Sequence, residues 1–114
     1  MKEIQMTVNM TKKGDWAVVS VEGRVDTVSA PEFEKKALEF MSAGEMRLLM
    51  DLAKLEYISS AGLRSLLVLA KKAKSAGGKL CCCALDSMVK KVFDVSGFTS
   101  IIPVFDTVED AIGS

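Results

Sequence analysis

The stretch Met46-Arg47-Leu48-Leu49-Met50-Asp51-Leu52-Ala53-Lys54-Leu55-Glu56-Tyr57-Ile58-Ser59-Ser60-Ala61-Gly62-Leu63 decides the fold. Its first seven residues are almost continuously apolar, which suits a strand covered on both faces within a parallel sheet. Leu55, Tyr57 and Ile58 carry the apolar pattern towards a helix predicted to begin near Ser60. In that helix Leu63, Leu66, Leu67 and Ala70 fall inward, Lys74 lies near the end, and Gly77-Gly78 stops it. A strand that feeds a helix is half of a β-α-β unit, so the sheet is predicted to be mostly parallel.

Working towards the C-terminus, Lys79-Leu80-Cys81-Cys82-Cys83-Ala84 reads as the next strand. Asp86 or Ser87 begins a helix with Met88, Val89, Val92 and Phe93 inward, and Gly97 ends it. Residues 101–105 form a short strand that Pro103 places at an edge, because proline donates nothing to a ladder. Thr107-Val108-Glu109-Asp110 has the outline of a capping box and opens a last short helix.

Towards the N-terminus, Ile4, Met6, Val8 and Met10 alternate with Gln5, Thr7 and Asn9, the period of a strand with one buried face. Thr11-Lys12-Lys13-Gly14-Asp15 is a turn, and 16–22 a second strand with Trp16, Val18 (or Val19) and Val21 apolar, so the pair is a hairpin. Gly23-Arg24-Val25-Asp26-Thr27-Val28 is a connection. Ser29-Ala30-Pro31-Glu32 starts a helix, with Ser29 and Glu32 spaced as a capping box and Pro31 tolerated in the first turn. Phe33, Ala37, Phe40 and Met41 form its apolar stripe, with Leu38 beside it, and Gly44 suits its end. The element order is β-β-α-β-α-β-α-β-α. The class is α/β: one domain over 1–114, with a mixed, mostly parallel sheet, an antiparallel N-terminal hairpin strand and about four helices.

Composition narrows the function. Of 114 residues 49% are hydrophobic, too many for a disordered chain. Lys+Arg and Asp+Glu number 15 each, which argues against general nucleic-acid binding, since phosphate contacts need a basic face. There is no histidine, so the commonest general base and metal ligand are absent. Asp51 stands at a strand end like the acceptor of response-regulator receivers, but Met10-Thr11-Lys12 supplies no acidic pair, and no phosphate-binding Gly-Lys-Ser/Thr loop occurs. An enzyme is therefore not expected, and no cofactor is implied. Cys81, Cys82 and Cys83 are consecutive and point to alternate faces, which suits buried free thiols better than disulfides or a metal site. No apolar run is long enough to span a membrane, and residues 1–6 lack the apolar block of a signal peptide, so a cytoplasmic protein is expected.

In open α/β sheets the working surface lies beyond the carboxyl ends of the strands. The segments 23–28 and 55–62 both end there. Ser59 and Ser60 stand at a helix N-terminus, where N–H groups and the helix dipole favour an anion. On residues alone the two serines also read as helix caps, Asp26 as a turn residue, Arg24 as a solvated charge and Gly62 as a close-packing glycine.

The segment from Asp51 to Leu63 resembles the signature of STAS domains, in particular the bacterial anti-sigma-factor antagonists. Gly23-Arg24-Val25-Asp26, followed by a helix bearing Phe33, is similar to the second motif of that family. The resemblance implies a protein that binds an anti-sigma factor which is also a serine kinase, is phosphorylated by it and lets go, and is restored by a PP2C-type phosphatase. Through Gly62 it assigns the acceptor to Ser60, and it puts Arg24, Asp26, Ser59, Ser60 and Gly62 on the partner surface. Ser59 stands where many antagonists carry Asp, so two adjacent hydroxyls remain candidates. That substitution also keeps open a second role, a non-switching STAS subunit that docks on a transporter or signalling scaffold.

Overall fold

Residues 6–113 are described by the computed structural model; Ile4, expected in the first strand, lies outside them. Alternating side chains build a hairpin from β1 (Met6–Lys13) and β2 (Trp16–Val25), closed by Gly14 and Asp15 with Gly14 at φ 61°. The ladder continues to Lys13 opposite Trp16, so the turn is shorter than 11–15. After α1 (Ala30–Ser42) the chain enters β3 (Arg47–Asp51), then β4 (Leu55–Ile58), α2 (Ser60–Ser75), β5 (Lys79–Cys83), α3 (Ser87–Val95), β6 (Val104–Phe105) and α4 (Val108–Ile112).

The sheet order is β1-β2-β3-β5-β6; among the described residues only the β1–β2 pair is antiparallel, and β4 lies off this path and pairs with β2. Residues 17–20 of β2 pair with β3, and Gly23, Arg24 and Val25 pair with β4. The strands β3 and β4 thus follow one another along one side of β2.

Side-chain alternation divides the core into two layers. Ala17, Val19, Val21 and Val25 join Leu48, Met50 and Cys82 on one face, under Phe33, Ala37 and Met41 of α1, Leu63, Leu66, Leu69 and Ala73 of α2, and Val89 and Phe93 of α3. Trp16, Val18, Leu49, Cys81 and Cys83 face the other way and are covered by Ala111, Val108 and Ile112 of α4. Val18 and Val19 are therefore both buried, one on each face. Leu48, Leu49 and Met50 are fully buried, each stabilising the fold by ~1.5–3 kcal/mol in apolar transfer.

Several expectations need correction. The strand β2 runs through Val25, so only 26–29 connect it to α1. The capping box at Ser29 does not form: Ser29 has helical angles (φ −89°, ψ −16°) and its hydroxyl makes no cap bond. Leu55 to Ile58 form a strand rather than a helix approach, which adds β4 to the element order. Leu69 and Ala73 hold core places on α2, whereas Leu67 and Ala70 are half-buried. Met88 is 66% exposed rather than inward, because Asp86 accepts the Val89 N–H as N-cap and turns the first residues of α3 outward. The last strand is only Val104–Phe105, preceded by a 3-10 turn at Phe98–Ser100 that sets Ile102 in the core. At α4 the expected cap is made, with Thr107 Oγ1 accepting the Asp110 N–H at 3.0 Å.

Candidate functional site

The carboxyl end of β2 meets β4 through an irregular ladder. Gly23 pairs with Leu55 and Arg24 with Tyr57, so Glu56 has no opposite number. Gly23 takes φ 93°, a conformation natural to glycine, and donates its N–H to the Lys54 carbonyl at 3.0 Å. The extra residue turns Leu55 and Ile58 to the core together, leaving Glu56 and Tyr57 exposed. It also sets Arg24 beside Tyr57, with the guanidinium carbon 4.4 Å from the ring centroid. Arg24 is thus stacked on a strand neighbour, not a freely solvated loop charge.

Asp26 folds the following loop around its own carboxylate. Its Oδ1 accepts the Val28 N–H at 3.0 Å and the Ser29 N–H at 2.9 Å. The Ser29 hydroxyl accepts the Asp26 N–H at 2.9 Å and lies 2.8 Å from the Arg24 carbonyl and 3.1 Å from Asp26 Oδ1, which compete for its proton. The Ser29 N–H and then its hydroxyl hold the Asp26 carboxyl below its ordinary value, against an opposing desolvation, with lesser help from the Val28 N–H and the Arg24 charge. This serine, read from sequence as a helix cap, fixes the Asp26 loop instead.

The helix α2 begins directly on the β2–β4 junction. Ser59 donates its N–H to the Val25 carbonyl at 2.8 Å, extending the parallel ladder by one residue. Its own carbonyl accepts the Leu63 N–H at 2.9 Å, and its hydroxyl accepts the Gly62 N–H at 3.2 Å. Ser59 is the N-cap, buried at 9% exposure. Ser60 is exposed, and its hydroxyl makes no hydrogen bond among the described residues. A Cβ on Gly62 would lie 2.7 Å from Ile58 Cγ1 and 2.8 Å from Val25 Cγ1, so glycine lets α2 sit close on the two strand ends.

Arg24, Asp26, Ser59, Ser60 and Gly62 are therefore brought together by one junction of β2, β4 and α2. They differ in what they offer a partner. Arg24 and Ser60 present side chains to solvent, and Asp26 is half-buried in its loop. Ser59 is engaged as a cap, and Gly62 is buried as a spacer. Sequence reasoning missed the groove of about 660 Å³ beside this surface, between α1 and α2. Thr27, Ala61 and Arg64 line it, and in it the Ser65 hydroxyl donates to Glu34 Oε1 at 2.8 Å. The i, i+4 spacing of Ser60 and Arg64 was the available signal for Arg64.

A family model for the STAS domain matches residues 7–111. BtrV of Bordetella bronchiseptica, named as an anti-sigma factor antagonist, is 38% identical over 106 residues, covering 93% of this chain and 91% of its own. A solved anti-sigma factor antagonist from Mycobacterium paratuberculosis has TM-score 0.86 at 25% identity, covering 95% of this chain and 92% of that one. The Bacillus antagonist SpoIIAA has the same fold in two states. Its unphosphorylated form gives TM-score 0.78 at 18% identity, with 93% of each chain covered. Its phosphorylated form gives 0.71 at 17%, with 94% and 97% covered.

Proposed function

The chain belongs to the STAS domain family and, within it, to the anti-sigma factor antagonists, and we propose that its antagonism is switched at Ser60. In this reading the unmodified chain binds an anti-sigma factor that is also a serine kinase, and so frees a sigma factor for transcription. The kinase transfers a phosphoryl group from ATP to the Ser60 hydroxyl, the phosphorylated chain lets go, and a PP2C-type phosphatase resets it. The cycle belongs in the cytoplasm, where ATP and the transcription machinery are. Among the described residues no helix is long and apolar enough to cross a membrane.

One observation carries the choice of residue: Ser59 is buried and committed to the Gly62 N–H, while Ser60 is exposed with an uncommitted hydroxyl. A kinase needs an accessible nucleophile, and a phosphate on Ser59 would break the cap and have to displace the strand junction. On Ser60 the added charge of about −1.5 to −2 sits at a helix N-terminus, where the fold tolerates it. The contact surface changes sign instead of the core changing shape. Arg24, Asp26 and the Ser60 turn form the docking rim, with Ser59 and Gly62 holding the turn in position. SpoIIAA, with the same fold in both phosphorylation states, is a precedent for a switch that leaves the fold in place.

The test is tandem mass spectrometry of the protein from its native cells, with co-purifying partners identified in the same sample. Phosphate on Ser60 beside a kinase-like ATPase is the expected result. An unmodified Ser60 beside a transporter or scaffold subunit would replace the switch by a docking role. In binding assays with the co-purified kinase, Ser60→Asp should weaken affinity by about tenfold or more, ~1.4 kcal/mol, and Ser60→Ala should bind but resist modification.

A further inference from the structure

We propose that Arg64 receives the phosphoryl group on Ser60 and pins it at the mouth of the groove between α1 and α2, an inference that rests on Ser60 being the modified residue. Ser60 and Arg64 are four residues apart on one helix, which stacks their side chains with Cβ atoms ~5–6 Å apart. Long side chains on a helix lean back towards its N-terminus, so the Arg64 guanidinium is carried towards the first turn. Both residues are exposed. The Arg64 side chain makes no hydrogen bond, ion pair or ring contact among the described residues, so its guanidinium donors are free. A planar guanidinium matches a phosphate with two parallel N–H bonds, which an ammonium cannot do.

The surrounding charges favour that direction. On the loop side the Arg24 guanidinium is engaged on the Tyr57 ring, and the Asp26 carboxylate, ionised under its Ser29 and Val28 bonds, repels a phosphate. Across the groove α1 presents Glu34, Lys35 and Glu39. Glu34 is tied to the Ser65 hydroxyl, and Lys35 adds a cation further along. Arg64 is the cation on Ser60's own helix face, and Thr27 and Ala61 beside it form the mouth of the groove. The phosphorylated surface is then a fixed Arg64–phosphoserine pair at that mouth instead of a mobile dianion.

The test uses full-length protein with phosphoserine installed at position 60 during translation, so that no kinase is needed. The second ionisation of the phosphate is followed by phosphorus NMR across pH. A nearby cation stabilises the dianion and lowers that pKa from its usual ~6. The expected result is a value about 0.15–0.4 pH unit lower in the parent than in Arg64→Gln. Arg64→Lys should fall between them, the gap should shrink with added salt, and unmodified Arg64→Gln should melt like the parent. Coincident titrations of the parent and Arg64→Gln would overturn the inference. Detection of phosphate on Ser60 in native cells bears on the switch alone, because the encoded phosphoserine bypasses the kinase.

Discussion

Ser59 accepts the backbone N–H of Gly62 on its hydroxyl at 3.2 Å, and this bond divides the work of two adjacent serines. Ser59 is the last residue of the strand junction and has extended angles (φ −89°, ψ 173°), so its side chain folds over the first turn. Ser60 is already helical and points outward. Serine and aspartate rank alike as N-caps, so Ser59 keeps the structural part of the aspartate that many antagonists carry there. Ser59→Ala should destabilise the protein by about 1 kcal/mol and Ser59→Asp by only a few tenths. Ser60→Ala should stay within about 0.5 kcal/mol of the parent. Urea midpoints at one pH compare all three, and equal losses for Ser59→Ala and Ser60→Ala would contradict the division.

Gly62→Ala tests how α2 is seated. The new methyl would sit 2.7 Å from Ile58 Cγ1, 2.8 Å from Val25 Cγ1 and 3.2 Å from the Val25 carbonyl. The neighbours are buried and belong to two paired strands, so they have little room to give. A loss of about 1–3 kcal/mol is expected, with amide shifts concentrated at Val25, Ile58 and Ser59. A variant as stable as the parent would mean that the helix start is free to move.

Asp26 gives the fold an acid-side dependence. Its carboxyl titrates below the ordinary 3.8 in the folded protein, chiefly through the Ser29 N–H. A lowered folded value contributes stability that is complete above the unfolded value and is lost as pH falls through the folded one. Asp26→Asn keeps the Oδ1 acceptor and removes the charge. The stability gap between parent and Asp26→Asn should therefore be widest near neutrality and close as the medium is acidified below about pH 4. Denaturant titrations at several pH values read this directly, and a gap independent of pH would refute it.

The three thiols should be silent in the native state. Cys81, Cys82 and Cys83 are fully buried. Burial raises all three thiol pKa values, to about 12 at Cys83, where Asp51 and Glu109 push in the same direction. Since the thiolate is the reactive form, iodoacetamide near pH 8 should leave the folded protein unlabelled over a time in which the urea-unfolded chain is fully labelled. Prompt labelling of the native protein would show an opening that the packing of α4 does not predict.

Much of the architecture was legible because its signals are local. The apolar run at 46–52, the glycines after each helix and the alternation in β1 each follow from one stretch of chain. The five residues named from the motif meet at one junction of β2, β4 and α2. Misreadings arose where the signal was non-local. Leu55 and Ile58 are buried three apart because Glu56 is an extra residue against β2, and no strand period reveals that. Ser29 looked like a cap because its spacing to Glu32 fits one, yet its hydroxyl is held by Asp26 and Arg24. Met88 looked apolar and inward, but the Asp86 cap sets the rotation of α3.

By itself, the sequence determined the class of the fold, the order of most elements and the location of the serine pair, because periodicity, glycine stops and capping residues act within a few residues of themselves. Only the tertiary structure decided that β2 continues to Val25, that β4 exists, and that Ser59 is the cap while the Ser60 hydroxyl and, one turn away, the Arg64 side chain have no partner among the described residues. Each of those depends on which partner completes a hydrogen bond or covers a side chain. That is settled only when segments distant in sequence close on one another.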